Sequence, residues 1–272
     1  MIFPADAPRV ADLSGHGIQC RLERINNPKQ IRDDKWGTGR AGMEYRDLVP
    51  DRLGGRVIAS HIRILKGGPV PDYVHHHHVE FQIIYCYKGS VKLVYEDQGP
   101  PFVMQAGDCV LQPPHIRHRV LECSDNMEVI EVSAPAEHET LLDHDMELPT
   151  STMNTIRDFD GQRFVYHESS KATWQPGPYE GFESRDTGIG SATNGLAQVA
   201  VIRAARQQTR MTIGCDGEFL FNVVLRGVIS VQTNGDGARS FDAGDAFLVT
   251  PDTQITLTEI SEDFELLQVA RR

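Results

Sequence analysis

Residues 75–89 read HHHHVEFQIIYCYKG, four consecutive histidines followed by an apolar run that ends at a glycine. No other part of the chain clusters histidines in this way. In an extended segment successive side chains point to opposite faces, so two histidines separated by one residue share a face and can chelate one ion. The stretch therefore predicts a metal-binding strand, and the alternative is a solvated polar loop.

The flanking sequence is typical of a β protein. From residue 36 to residue 133, short runs rich in branched and aromatic residues alternate with glycine, proline and aspartate turns. No helical stripe interrupts them. Many short strands at regular spacing predict an antiparallel barrel or sandwich. Residues 134–150, APAEHETLLDHDMELPT, are acidic and poor in β-branched residues, and we expect a short helix there at the junction between two halves.

The second half of the chain repeats the first at an offset of 137 to 139 residues. GMEYRD at 42–47 matches GFESRD at 181–186, the run 81–89 matches 219–227, and AGD at 106–108 matches AGD at 243–245. A period this long indicates a duplicated domain rather than a solenoid. We predict an arm over residues 1–35, including a short strand near residues 19–22, a first barrel over 36–150 and a second over 151–272.

Two motifs in the first half resemble those of the cupins. The first cupin motif, G-x5-H-x-H-x3,4-E-x6-G, is matched by His75, His77, Gln82 and Gly89, with its leading glycine one place early. The second motif is G-x5-P-x-G-x2-H-x3-N. Its first glycine, its proline and its histidine are matched by Gly107, Pro113 and His118. His115 replaces the family's second glycine, and Glu122 replaces its asparagine. The resemblance implies an all-β fold of tandem double-stranded β-helix (jelly-roll) barrels.

The resemblance also implies the metal ligands, which are His75, His77, Gln82 and His118. The alternative pair His76 and His78 leaves a spacing that the family also allows. Most catalytic cupins carry glutamate where this chain has Gln82. A neutral amide leaves the charge of a divalent ion uncompensated, which favours anionic ligands and removes an obvious general base. No catalytic residue beyond the ligands is identified.

Four further residues are candidates for substrate binding or for support of the ligands: His61, Arg63, Glu80 and His115. The first two share a face of one strand and are expected either at the barrel mouth or on a solvated edge. Glu80 is a weak candidate for a base and is expected to face water. His115 stands at a turn position, where histidine tolerates positive φ.

The second half lacks the histidine pattern. The positions that match His75 and His77 are Ile213 and Cys215, and Gln82 is matched by Leu220. His118 is matched within one residue by Ile255, and no histidine follows residue 167. The second barrel is therefore predicted to be degenerate and free of metal, with a role in packing, in dimerisation or in covering the first barrel.

The composition of the chain indicates which kinds of binding partner are to be expected. The 272 residues carry a formal net charge of −11, which argues against nucleic acid. The five cysteines are scattered without paired spacing, as is typical of reduced thiols. No apolar run approaches the length that spans a bilayer, and the first residues lack a secretory pattern. We expect a cytoplasmic protein without a membrane partner, which forms a homodimer through its strand edges.

The resemblance makes a metal-dependent enzyme the leading functional hypothesis. We expect a non-haem Fe(II) dioxygenase that acts on a small enolisable or phenolic carbonyl compound. The alternatives are a redox-neutral isomerase or lyase acting on a sugar acid, and a non-catalytic cupin that binds a small ligand. Ligand type alone does not choose the metal, so Mn, Ni, Zn and Co stay open beside Fe.

Overall fold

The computed structural model describes residues 36–49, 52–206, 210–233, 237–251 and 253–272. The predicted N-terminal arm, with its short strand near residues 19–22, lies outside the described residues. In these residues helix is limited to single turns, at Arg40–Gly42, at Arg52–Gly55 (α1) and at Ile189–Ala192 (α2). None of the described helices is long and apolar enough to cross a bilayer. The rest of the described backbone is strand, turn and irregular structure, as the sequence predicted.

Within its described residues, the first half of the chain forms thirteen strands that build a barrel of two sheets. They are β1 Gly37–Thr38, β2 Glu44–Asp47, β3 Ile58–Ile64, β4 Gly68–Pro69, β5 His75–His77, β6 Phe81–Lys88, β7 Ser90–Tyr95, β8 Phe102–Gln105, β9 Cys109–Leu111, β10 His118–Cys123, β11 Met127–Ala134, β12 Thr140–Leu142 and β13 Val165–His167. One sheet has the order β1-β2-β3-β11-β6-β9-β13, and the other has the order β12-β5-β10-β7-β8, with β4 paired to β10.

The second half repeats this arrangement with ten strands. They are β14 Gln175–Pro176, β15 Phe182–Asp186, β16 Ala197–Ala204, β17 Arg210–Gly214, β18 Phe219–Arg226, β19 Val228–Thr233, β20 Arg239–Asp242, β21 Ala246–Val249, β22 Gln254–Thr258 and β23 Glu265–Arg271. Their sheets run β14-β15-β16-β23-β18-β21 and β17-β22-β19-β20. This order repeats that of ten strands of the first barrel, so the duplication predicted from sequence is a duplication of topology. Strands β4, β12 and β13 have no counterpart among the described residues of the second barrel.

Three apolar clusters account for the packing. One fills each barrel, and the third lies between the two barrels. Strand β6 shows why its sequence is almost continuously apolar: Phe81, Ile83 and Tyr85 pack in the cluster between the barrels, whereas Ile84 and Cys86 face the inside of the first barrel. Both faces of this strand are buried, which removes the apolar-polar alternation of a half-exposed strand.

Two expectations about the junction differ from the structure. Residues 140–142 form strand β12 rather than part of a helix, and this strand pairs with β5. Strand β13 lies after the predicted boundary at residue 150 and pairs with β9 of the first barrel. The four described cysteines are free and buried, in agreement with the expectation of reduced thiols.

Candidate metal centre

Strands β5 and β10 bring three of the predicted ligands together inside the first barrel. His75 and His77 lie two residues apart on β5, and His118 begins β10, where it pairs directly with His75. The ring centroids of His75 and His118 are 4.2 Å apart, and those of His77 lie 5.2 and 5.3 Å from them. One ligand atom from each of the three lies within 4.8 Å of the others.

Backbone carbonyls fix the orientation of two of these rings. Nδ1 of His75 lies 2.8 Å from the carbonyl oxygen of Tyr73, and Nδ1 of His118 lies 3.0 Å from that of Ile116. A carbonyl only accepts, so each Nδ1 carries the proton and donates it. The lone pair is then on Nε2, which is the arrangement of a metal-bound imidazole.

The third ring is held by a side chain. Nδ1 of His77 lies 2.9 Å from Oγ1 of Thr140 on β12, the strand that the sequence did not predict. When Nε2 of His77 binds a metal, Nδ1 must donate to this hydroxyl. All three rings thus have an anchored Nδ1 and present the same nitrogen.

The three imidazoles are held in the neutral form that metal ligands require. Burial is the main cause that lowers the pKa of His77 to about 2, and the neighbouring His75 is the next largest cause. Burial is also the main cause that holds the pKa of His118 well below its ordinary value, followed by the rings of His75 and His77. The donor set, its tautomers and its charge state therefore all fit a divalent transition metal.

Gln82 is buried, and the oxygen of its amide is used by another side chain. Its Oε1 accepts a hydrogen bond of 2.9 Å from Nε2 of Gln112, whose own Oε1 accepts one of 2.5 Å from the hydroxyl of Tyr95. The ligand role of Gln82 stays a prediction from the family motif.

A cavity of about 190 Å³ opens next to the three histidines. This is below the roughly 300–1,000 Å³ of sites for drug-sized ligands, so it suits a smaller molecule. Its apolar wall consists of Met43, Tyr45, Ile62, Ile84, Val91, Leu93, Val120, Met127 and Val129, and its further polar residues are Arg40, Gln112, Glu131, His138 and Thr140.

Arg40 places a positive charge at this cavity. One guanidinium nitrogen lies 2.7 Å from Nε2 of His75, and the other forms an ion pair with Asp72. The Asp72 side chain is almost fully buried and also accepts a hydrogen bond of 3.0 Å from the backbone N–H of Val120. Arg40 therefore occupies the lone pair that a metal would take, and metal binding requires its guanidinium to move away from Nε2 of His75.

Glu131 places a carboxyl group in the same cavity. It lies on β11 next to Gln82 and Ser133. Burial raises the pKa of Glu131 above its ordinary value, against the opposing effect of the His138 imidazole. A buried carboxyl group near a candidate metal is a typical proton acceptor or donor.

Sequence reasoning did not find Arg40, Asp72, Glu131 or His138. Arg40, Glu131 and His138 come from segments far apart in the chain, and Asp72, three residues before His75, is part of no motif that joins it to the histidine block. One signal was present for Glu131: it stands at an inward-facing position of the apolar strand MEVIEVSA, where an acidic residue has no structural reason.

The structure places His61 and Arg63 away from the cavity, on the opposite face of β3 from Ile62. Nδ1 of His61 lies 2.8 Å from a guanidinium nitrogen of Arg46, and Nε2 lies 2.7 Å from a carboxylate oxygen of Glu128. Burial lowers the pKa of His61. Arg63 stacks on an aromatic ring of the same surface, 3.9 Å from the centroid of Trp36. The expectation that these two side chains reach the barrel mouth is not supported by their positions.

The remaining candidates also lie outside the cavity. Glu80 is exposed and forms an ion pair with Arg271 of the second barrel. His115 has a φ of 63°, as expected for its turn, and groups with His76 and His78 on the outer face of β5. The alternative ligand pair therefore points away from His118, and the pair His75 and His77 points toward it.

The second barrel has the same strand register but lacks the metal-binding side chains. Ile213 on β17 pairs with Ile255 on β22, as His75 pairs with His118 in the first barrel. These two isoleucines pack with Cys215 in the core of the second barrel. Among the described residues, the groups of side chains that suit a metal all come from the first half of the chain.

Comparison with known proteins agrees with this fold. The family described as cupin domain matches residues 60–133. No curated protein matches the chain. Among solved structures the chain is similar to a salicylate 1,2-dioxygenase from Pseudaminobacter salicylatoxidans, with 17% identity, a TM-score of 0.58, and 80% of this chain and 71% of that chain covered.

Two other structures cover more of the chain. An oxalate decarboxylase from Bacillus subtilis has 13% identity and a TM-score of 0.64, with 94% of this chain and 78% of that chain covered. The protein Ylba from E. coli has 9% identity and a TM-score of 0.62, with 94% and 95% covered. Residues 60–133 thus carry a cupin domain. The chain as a whole has the fold of these two-domain structures, with two barrels of one shared topology.

Proposed function

We propose that the first barrel is the working domain of a metal-dependent enzyme, with His75, His77 and His118 as metal ligands. The observation that supports this most is the common orientation of the three rings, whose Nε2 atoms face one small cavity while every Nδ1 is held by an acceptor. In each ring the anchored nitrogen is Nδ1, which makes Nε2 the nitrogen that would bind a metal, and in His75 this Nε2 is contacted by the guanidinium of Arg40.

Fe²⁺ is the leading choice of metal, with Mn, Ni, Zn and Co as alternatives. Three neutral imidazoles add no negative charge, and Gln82 in the family's ligand position would add none either. The metal, when bound, supplies Lewis-acid activation of an anionic oxygen and, if it is iron, access to dioxygen chemistry. An anionic substrate would balance the charge that these ligands leave.

The substrate is proposed to be a small enolisable or phenolic carbonyl compound with an anionic oxygen. Three features support this: the volume of the cavity, its apolar wall and the guanidinium of Arg40 at its edge. Arg40 donates through a planar group that pairs well with a carboxylate. The salicylate dioxygenase that shares this fold acts on a phenolic carboxylate by name, and the oxalate decarboxylases act on a small dicarboxylate.

Glu131 is proposed as the group that accepts or returns a proton. It is the carboxylate among the residues that line the cavity, on the wall formed by β11. This assigns a base that the sequence motif, with its glutamine, does not provide. General acid–base catalysis by a positioned side chain typically contributes about 10²–10⁴-fold to a rate.

A redox-neutral reaction is the second candidate. It is favoured by the oxalate decarboxylase structures, which cover more of this chain than the dioxygenase does. On this hypothesis the metal held by the three histidines, together with Arg40 and Glu131, acts on a carboxylate or sugar acid without consuming dioxygen. A cupin that binds a small anion and performs no chemistry is the remaining alternative.

The experiment starts from protein without a histidine tag, stripped of metal and reloaded with Fe²⁺ under argon. Dioxygen uptake is then measured with a panel of salicylates, β-diketones and catechols, beside oxalate and sugar acids followed by product analysis. We expect uptake with a phenolic or diketone substrate. We further expect Glu131→Gln to keep its metal and lose turnover, with Glu80→Gln as the matched control. Product without uptake would favour the redox-neutral reaction, and binding without product would contradict an enzyme.

The predicted homodimer stays a proposal. Light scattering coupled to gel filtration of the untagged protein measures it directly, and we expect twice the mass of one 30.4 kDa chain.

A further inference from the structure

A second group of imidazoles lies on the face of β5 opposite the cavity. It consists of His76, His78 and His115, and one ligand atom from each lies within 4.8 Å of the others. We call this group the outer histidine cluster. Because His76 in β5 and His78 directly after it alternate with the two inner histidines, one run of four histidines supplies two faces.

The turn before β10 places the third member. His115 has a φ of 63°, a backbone conformation that is uncommon for residues other than glycine. Its backbone N–H donates a 3.1 Å hydrogen bond to the carbonyl oxygen of His77, which ties the turn to β5. As a result its ring centroid lies 5.9 Å from that of His76 and 4.7 Å from that of His78. The latter two rings are 5.6 Å apart.

Acidic side chains surround the cluster in the way that supports a bound cation. A carboxylate oxygen of Glu139 lies 3.3 Å from Nδ1 of His78, and one of Asp160 lies 3.4 Å from Nε2 of His115. A carboxylate at one ring nitrogen fixes the tautomer and leaves the other nitrogen to bind metal. Nδ1 of His76 is buried and has no hydrogen-bond partner among the described residues.

The positive charge of Arg117, which lies near the outer histidine cluster, does not oppose metal binding strongly. Arg117 is close enough to His76 to affect its charge, but its guanidinium is paired with Asp143 at 3.1 Å and lies near Glu96. The wider field of the chain is negative, with a formal net charge of −11, which favours the approach of cations.

We propose that the outer histidine cluster is a second metal site, separate from the cavity and selective for borderline divalent transition metals such as Zn²⁺, Ni²⁺, Co²⁺ or Cu²⁺. Imidazole nitrogens are the preferred ligands of these ions, and Mg²⁺ or Ca²⁺ would require oxygen ligands instead.

This site has a structural consequence for the cavity. Strand β5 is three residues long, and the outer site would bridge it to the turn that precedes β10. The same strand and turn position His75, His77 and His118. A metal in the outer site therefore stabilises the segments that hold the inner ligands, without contact to a substrate.

Equilibrium dialysis of the metal-stripped, untagged chain against Zn²⁺ tests the proposal. The double variant His76→Gln/His78→Gln removes the outer ligands, and His77→Gln/His118→Gln removes the inner ones. His144→Gln is the matched control, since this exposed histidine belongs to neither group. The thermal unfolding midpoint of each protein is measured with and without Zn²⁺.

We expect the wild type and the control to bind two Zn²⁺ per chain and each double variant to bind one. Zn²⁺ should also raise the unfolding midpoint of the inner double variant. The inference is overturned if the outer double variant binds as much Zn²⁺ as the wild type. Such a result would leave the proposed inner site untouched. The proposed function would be contradicted instead if the outer double variant bound no Zn²⁺ while the inner double variant bound as much as the wild type.

Discussion

The substitution Thr140→Val tests whether the ligand rings are positioned as described. Two of the three inner rings are anchored by backbone carbonyls, which mutation cannot remove. His77 alone is held by a side chain, through the 2.9 Å contact between its Nδ1 and Oγ1 of Thr140. Valine has nearly the shape of threonine but offers no acceptor.

The expected effect is on metal affinity rather than on folding. Loss of a partner that orients a metal-bound histidine costs typically 10–100-fold in affinity, or about 1.4–2.7 kcal/mol. Thr140 is exposed on a short strand, so water can replace part of the lost contact, and we expect the lower end, about tenfold. The free energy of unfolding should change by less than about 0.5 kcal/mol, because the site is at the surface and valine suits a strand.

The measurement is a competition for Co²⁺ or Zn²⁺ between the protein and a chromophoric chelator. It is made in the His76→Gln/His78→Gln background so that the outer cluster does not contribute. Thr212→Val, at an exposed position of β17, is the matched control and should leave the affinity unchanged. An affinity within twofold of the parent for Thr140→Val would refute the assigned role of the Nδ1 anchor.

Three further predictions concern stability and ligand binding. Tyr95→Phe leaves the buried Oε1 of Gln112 without its donor and should cost about 1–3 kcal/mol of unfolding free energy in urea denaturation; a cost below 0.5 kcal/mol would contradict the hydrogen-bond chain. The folded-state pKa of His61 lies below its ordinary value, so the folded state takes up fewer protons than the unfolded one. Stability should therefore fall as the pH drops below about 6.5, and the fall should be smaller in His61→Gln; equal slopes would contradict this. Arg40→Gln should weaken binding of a carboxylate such as salicylate to the metal-loaded protein by about 1.5–3 kcal/mol in calorimetry, and unchanged binding would remove Arg40 from the substrate site.

The fold was predictable because the duplication is visible as a repeat in the sequence. The matching glycine and aspartate residues, at a nearly constant offset, predict the register of the second barrel. The pairing of Ile213 with Ile255 reproduces that of His75 with His118. Local alternation placed the strands. The short strand β12 was missed because three residues carry no periodic signal, and its position is set by pairing with β5.

The inner histidines were predictable from spacing, whereas the rest of the site was not. Arg40 and Glu131 reach the cavity from turns and strands far from the histidine block, and only the closed barrel brings them together. The four histidines were read as one pair with two flanking residues. The outer cluster depends on His115, whose orientation follows from a turn conformation that spacing cannot reveal.

The central claim is that His75, His77 and His118 hold a divalent transition metal inside the first barrel. Crystals of the untagged protein, loaded with Co²⁺ or Fe²⁺ and measured on both sides of the metal absorption edge, test it directly. We predict an anomalous difference peak about 2.0–2.2 Å from the Nε2 atoms of the three histidines. A metal-loaded crystal with no peak among these atoms, or with Arg40 still bound to Nε2 of His75, would contradict the account.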